Sequence, residues 1–346
     1  MALSDDILDA TIRHSVHLER YKNRIVKDIL ALVTDVEGRI ERDLLRDRIE
    51  DMSRRDLDRL LARLRQSIRD GYEPVIATLD NALREIGEYE AGWQAGLLRD
   101  QIPVRMVIEG PSNEQIYAAA MARPFQGRLL KEWYQGLPDG QFRRIREAIR
   151  MGYVDGRTTQ EIVRDVIGTR NRAGIIEQSR RGATAAVRTA VAHTAAVARN
   201  EVFRANRSIL KGVEMVATLD SHTTLFCMGI DGKVFPVDEG PRPPFHVNCR
   251  TTVIPVVKSA AALGLSKISG STRASMNGQV PMELNYNDWL KQQGTAFQDE
   301  VLGPDRARLF RGGVSVDRFT DASGHTYTLE ELRTRDREAW QSVFGE

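Results

Sequence analysis

Between Tyr21 and Ile49 the apolar residues Ile25, Ile29, Leu32, Val36 and Ile40 recur at steps of three and four. That spacing collects them on one face of a helix but scatters them over both faces of a strand, so the segment reads as an amphipathic α-helix. The stretch from Arg54 to Leu98 repeats the pattern, with Leu57, Leu60, Leu61 and Leu64 on one stripe and Ser53 placed to cap its start. The Glu73-Pro74 step predicts a kink or restart in that second helix. The charged segment between the two, with a turn at Met52-Ser53, lets the stripes face each other as an antiparallel hairpin. If they cover each other fully the hairpin is a self-sufficient arm; any face left over needs a partner or a second copy.

More helices follow. "NEQIYAAAMA", "GRLLKEWYQGL" and "DGQFRRIREAIRMGYVDG" each read as one, after a linker, Arg99 to Gln115, that holds a short strand at Val104–Ile108. "RTTQEIVRDVIG" has Thr158 or Thr159 as its cap and Glu161 in its first turn. An Ala-rich core helix is predicted from about Gly182 to Leu210, with Arg188, Arg199 and Arg204 off the apolar face of Val187, Val191, Thr194 and Ala198. The pattern then turns to β. "VEMVATLD" and "RTTVIPVV" read as strands, and "MGIDGKVF" as a hairpin with a type I′ turn at Asp231-Gly232. The Pro-rich loop "PVDEGPRPPF" lies between them. From Ser259 the chain starts loosely. It then shows one or two helices with a break at Gly303-Pro304, a short hairpin about Ser323-Gly324 and a final helix. The fold class is mostly α with a small C-terminal α+β domain and long N-terminal helices. Its regions are a helical arm or hairpin at 1–100, a helical body at 101–212, a small β-rich Cys/His unit at 213–258, and an α+β tail at 259–346.

Of 346 residues, 41% are hydrophobic and 28% charged, which fits a folded chain and not a disordered one. No run of 18 apolar residues spans a membrane, and the start lacks the basic and apolar regions of a secretory signal. Two cysteines make no disulfide framework, so folding in a cytoplasm is expected. Net charge is only +2, but residues 142–211 hold fifteen Arg plus Lys against six Asp plus Glu, or +9, leaving −7 for the rest. Such a segment faces nucleic acid or an acidic protein surface, or is a set of solvated helix faces.

Both cysteines, Cys227 and Cys249, fall in one window with His246, and His222 lies just upstream. Three readings of this window stay open. His222, Cys227, His246 and Cys249, spaced H-x4-C-x18-H-x2-C, offer the two nitrogens and two sulfurs that suit tetrahedral zinc. A Cys227–Cys249 disulfide would close a loop of about twenty residues and contribute roughly 3 kcal/mol, forming only outside a reducing cytoplasm. Otherwise they are two buried thiols with His246 beside them, pinning the Pro-rich loop. A thiol nucleophile with a His and Asp220 is the catalytic alternative, but no oxyanion-hole motif accompanies it. No P-loop, GxGxxG, GxSxG or HExxH occurs, and the chain is read as no enzyme. Arg250 is placed to pair bidentately with Asp220 or Asp231, or to lie on a strand surface.

The string "LDSHTTLFCMGIDGKVFPVDEGPRPPFHVNCRTTVIPV" resembles the signature of phage Mu F-like minor head proteins, a phage head morphogenesis family. The matching residues are Asp220, Thr223, Cys227, Asp231, Gly232, Pro243, Pro244, His246, Cys249 and Arg250. The resemblance extends over about 140–335, is strongest at 213–257, and leaves the first hundred residues outside. The sequence departs from the family pattern at His222, where Arg is usual, and at Ala190, where an acidic residue is common. Thr224 and Thr251 stand where some members carry further cysteines, which weakens a four-thiolate metal site. The resemblance implies a structural virion protein, made in the host cytoplasm and placed in the capsid interior or near the portal. It would act in head morphogenesis and DNA packaging, and in some members travel with the DNA at ejection. Its partners would be portal and capsid proteins and packaged double-stranded DNA, with no membrane, no small-molecule substrate and no resident cofactor, zinc being the alternative. The other functional readings are a DNA-binding internal virion protein, which needs the +9 segment on one face, and a thiol-dependent or toxin-like enzyme, which needs a pocket at Cys249.

Overall fold

The structure, a computed structural model, describes residues 3–101, 107–258, 272–281 and 284–345. The strand expected at Val104–Ile108 falls mostly outside them, as does the loose start of the tail.

Helices α1 (Leu3–Leu45) and α2 (Arg54–Gln101) form an antiparallel hairpin, joined by a short 3-10 turn at Ile49–Asp51. Ser53 caps α2, its hydroxyl accepting the Asp56 N–H at 3.3 Å. Ile25, Ile29, Val36 and Ile40 are buried with Leu57, Leu60, Leu61 and Leu64. Leu32 is only half-buried, because Val33 takes the inward position. The expected break at Glu73-Pro74 does not occur: α2 runs 48 residues through Pro74. Interior proline costs about 3 kcal/mol. Tyr72, Val75 and Leu79, all buried around it, each return about 1.5–3 kcal/mol and hold the helix on course.

The apolar face left by the hairpin is covered by the same chain. α3 (Asn113–Ala122) follows the linker behind a Ser112–Gln115 capping box. A two-residue-strand hairpin, β1 (Pro124–Phe125) and β2 (Arg128–Leu129), leads to α4 (Leu130–Gln135), α5 (Leu137–Val154) and α6 (Thr159–Ile167). Thr158, with Glu161, supplies the cap of α6. A second miniature hairpin, β3 (Gly168–Thr169) and β4 (Arg172–Ala173), precedes α7 (Ile175–Ala205). This helix starts seven residues before Gly182 and stops short of Leu210. It is buried on nearly all sides from Thr189 to Asn200, as its alanines allow, and shares one core with α1, α2, α5 and α6.

Leu210 instead opens β5 (Leu210–Val216), the centre of an antiparallel sheet in the order β6-β5-β7, with β6 at Val234–Phe235 and β7 at Thr252–Val257. Pro255 sits on edge strand β7, where a missing N–H breaks no ladder. This sheet packs on the ends of α2 and α7 through Val213, Met215 and Val253 against Leu98, Val202 and Phe203. The expected hairpin at Asp231-Gly232 is corrected. Leu225–Ile230 is helix α8, capped by the Thr224 hydroxyl, and Asp231-Gly232 turns the chain from it into β6. Asp231 (φ −58°, ψ 133°) and Gly232 (φ 76°) make a type II turn, which needs positive φ at its third residue.

The tail holds a hairpin that its Ser- and Gly-rich sequence hid, β8 (Thr272–Ser275) with β9 (Gly278–Pro281). Three helices follow, α9 (Tyr286–Lys291), α10 (Thr295–Leu302) and α11 (Pro304–Arg311), the last two broken at Gly303. A bridge from Thr320 to Thr326 stands at the expected Ser323-Gly324 hairpin, and α12 (Leu329–Arg335) and α13 (Arg337–Phe344) close the chain. Tyr286, Trp289, Phe310 and Phe319 form a core of their own with Leu219 and Met228 of the Cys/His unit. The fold is mostly α, with a small sheet-containing C-terminal part.

Candidate functional site

The ten signature residues gather where β5, α8 and β7 meet. Thr218 to Thr223 turns the chain out of β5. Asp220 closes that turn by accepting the His222 N–H at 2.9 Å, and the Thr223 hydroxyl donates to the Thr218 carbonyl. This leaves both Asp220 oxygens facing Arg250, whose guanidinium donates to them at 2.6 and 2.9 Å. Of the two partners open to Arg250, the fold selects Asp220. Burial opposes the Asp220 charge, but the Arg250 hydrogen bonds outweigh it and lower its pKa.

Asp231 is buried and works elsewhere. One oxygen accepts the Ala217 N–H at 2.6 Å and the other the Tyr286 N–H at 2.7 Å. The Tyr286 hydroxyl in turn donates to the Asp220 carbonyl at 2.7 Å. Arg242 donates to the carbonyls of Pro236, Val237 and Pro241 and so shapes the loop that carries Pro243 and Pro244, joined by a cis peptide. Phe245 then packs edge-on against Phe226 of α8 at 5.0 Å.

That contact delivers His246 to Cys227. His246 Nε2 lies 3.4 Å from Cys227 Sγ, and Cys249 Sγ is 4.0 Å from it. Both thiols are buried and free. The hydrogen bond shared between the sulfurs lowers the pKa of Cys249, helped by the His246 imidazole and opposed by burial. The same shared proton, together with burial, pushes Cys227 up. His246 is raised, first by its hydrogen bond with Cys249. His222, the fourth ligand in the sequence-based set, stands apart: it is exposed and outside the group of three.

A catalytic thiol needs its base oriented by a third group. Here His246 Nδ1 donates to the adjacent Val247 carbonyl at 2.9 Å, not to a carboxylate. A cavity of about 370 Å³ does reach Cys249, walled by Leu18, Ala195, Ala196 and Val216, but His246 lies outside its lining.

Sequence reasoning missed a second polar centre beside this one. Glu90, wholly buried in α2, accepts Arg199 of α7 at 2.6 Å, Gln94 at 2.8 Å and His14 of α1 at 2.5 Å. Arg199 also donates to Thr252 of β7, and His14 stacks on Trp93 at 3.7 Å. Arg199 is thus 3% exposed, not off the buried face as its charge predicted. Burial would raise the Glu90 pKa; the Arg199 charge and the His14 and Gln94 bonds prevail and hold it at about 2. A Glu on an apolar helix 109 positions before an Arg on another was the only signal.

Residues 143–254 match a family model described as Phage Mu protein F like protein. Across that stretch the chain is similar to Mu F-like phage head proteins. The matched span begins in α5 and ends in β7, so it takes in all ten signature residues and leaves the α1–α2 hairpin and the tail outside. No curated protein and no solved structure matches the chain. Among the described residues, no helix is long and apolar enough to cross a membrane.

Proposed function

We propose that this Mu F-like chain is a structural minor head protein that acts beside the portal in head assembly and DNA packaging. The observation that carries the reading is the family match over 143–254, in which every signature residue falls within one connected unit. The bonds of that unit support a scaffold role: they tie the turn after β5 to Arg250, just ahead of β7, and to Tyr286 of the tail helix α9. Co-expression of the full chain with its cognate portal protein tests it. Co-elution of the two on size exclusion is expected. A chain that binds neither portal nor procapsid, and whose loss leaves packaged heads normal in number, defeats the reading.

A second reading, contact with packaged DNA, has one observation in its favour. Arg65, Arg128, Arg143 and Arg146 line a surface groove of about 420 Å³ that holds a single carboxylate, Asp139. The +9 segment as a whole does not supply such a face. Arg157, Arg180, Arg188, Arg199 and Arg204 are each paired with carboxylates of the chain. If the groove holds phosphates through four arginines, affinity for duplex DNA falls about a hundredfold between 50 and 200 mM salt. The Arg143→Glu/Arg146→Glu variant should bind weakly with a flatter slope. Salt-independent binding, or none, leaves these arginines as a solvated face.

A further inference from the structure

We infer that Cys227, Cys249 and His246 hold a zinc ion, with one water in the fourth position. The three donor atoms all lie within 4.8 Å of one another. A tetrahedral zinc with bonds of about 2.3 Å to sulfur and about 2.05 Å to nitrogen sets its sulfurs about 3.8 Å apart and sulfur from nitrogen about 3.6 Å apart. The two separations from Cys227, 4.0 Å to the Cys249 sulfur and 3.4 Å to His246 Nε2, are each within about 0.2 Å of that demand.

The backbone is arranged for it. The Cys249 N–H donates to the His246 carbonyl at 3.1 Å, and Asn248 takes a left-handed conformation (φ 60°). This tight turn brings the imidazole and the thiol of an H-x2-C unit to one side. The Cys227 thiol approaches from the first turn of α8. His246 Nδ1 donates to the Val247 carbonyl, which fixes the tautomer and turns the Nε2 lone pair toward the sulfurs, as in established zinc-bound histidines. Loading releases the two thiol protons to solvent. Two thiolates then neutralise Zn²⁺, so the buried cluster carries no net charge.

The fourth position faces a small cavity of about 10 Å³ lined by Thr224, Asn248 and Thr251, close to the space one water needs. The His222 ring also borders it, but it is exposed and outside the donor group, so water and not His222 completes the tetrahedron.

The test uses the full chain, purified without chelator, then stripped with chelator and titrated with Zn²⁺ alone. About one zinc per chain and one equivalent of re-uptake are expected. Cobalt in place of zinc should show thiolate-to-metal charge-transfer absorption. Cys227→Ser and Cys249→Ser should each weaken uptake at least a hundredfold, more than the roughly 10–100-fold that losing an outer partner costs, while His222→Ala stays within about twofold. Under a tenth of an equivalent retained, with no uptake at micromolar zinc, overturns the site. So does full uptake by the Cys227→Ser/Cys249→Ser variant. If the serine variants fail to fold, a wild-type cobalt spectrum without thiolate absorption overturns it alone. A tenfold loss in His222→Ala overturns the water.

Discussion

The Asp231 carboxylate accepts the Tyr286 N–H at 2.7 Å across 55 positions of chain, and its other oxygen accepts the Ala217 N–H. Both acceptors are needed, because both donors are buried. Asp231→Asn puts an NH2 against one of these N–H groups, leaving a buried donor unmet at about 1–3 kcal/mol. Urea denaturation should show that loss, and limited proteolysis should release the tail from about residue 284 more readily. An unchanged midpoint would show that this bond is not a seam between the two parts.

Glu90 and Arg199 make a prediction in two steps. Arg199→Met alone strands a buried carboxylate and should destabilise by about 3–5 kcal/mol. Adding Glu90→Leu should recover most of it, since an apolar pair fills the same space without desolvating charge. A double variant no more stable than the single one would mean that the His14 and Thr252 bonds, not the ion pair, set the cost.

Acid stability follows from the same carboxylate. The Glu90 pKa is lowered from 4.5 to about 2 in the folded chain. The folded state therefore binds fewer protons than the unfolded one between these values. The contribution is complete above about pH 4.5 and is lost as pH falls toward 2; it amounts to about 3 kcal/mol. Glu90→Gln should be less stable at pH 7 and show a flatter decline over that range. Parallel pH–stability curves for the two proteins would contradict it.

Thr224 offers a gain-of-function check on the zinc site. Its hydroxyl caps α8 by accepting the Cys227 N–H at 3.5 Å, and it borders the cavity assigned to the water. Thr224→Cys creates a C-x2-C pair with Cys227, and a third thiolate should replace the water. Zinc affinity should rise at least tenfold and cobalt absorption should strengthen. Equal affinity in both proteins would put the open position elsewhere.

What the sequence disclosed was what neighbours in the chain decide. The stripe from Ile25 to Ile40, the Thr158 cap and the gathering of Cys227, His246 and Cys249 could be read because spacing or turn chemistry sets them. Asp220 and Asp231 looked equivalent as partners for Arg250; only the turn at Thr218–Thr223 separates them. α8 was missed because Asp231-Gly232 is a strong hairpin signal, while the Thr224 cap, three residues before the Cys227 N–H it accepts, was the weaker sign of a helix. Pro74 and Arg199 misled for one reason: what decides each lies elsewhere in the chain, the core that Tyr72, Val75 and Leu79 share with α1, α5 and α7 for the first, and Glu90 of α2, 109 positions earlier, for the second.

The uninterrupted path of α2 through Pro74 sets a length. At 1.5 Å per residue its 48 residues extend about 72 Å, and the 43 of α1 about 65 Å. A compact globule of 346 residues has a radius of gyration of about 20 Å and so a diameter near 50 Å. The hairpin alone exceeds that. Hydrodynamic drag must then be greater than that of a sphere of equal mass, and solution scattering should return a radius of gyration clearly above 20 Å. A particle of this aspect passes a narrow ring end-on or not at all, so orientation, and not only affinity, limits how it meets one.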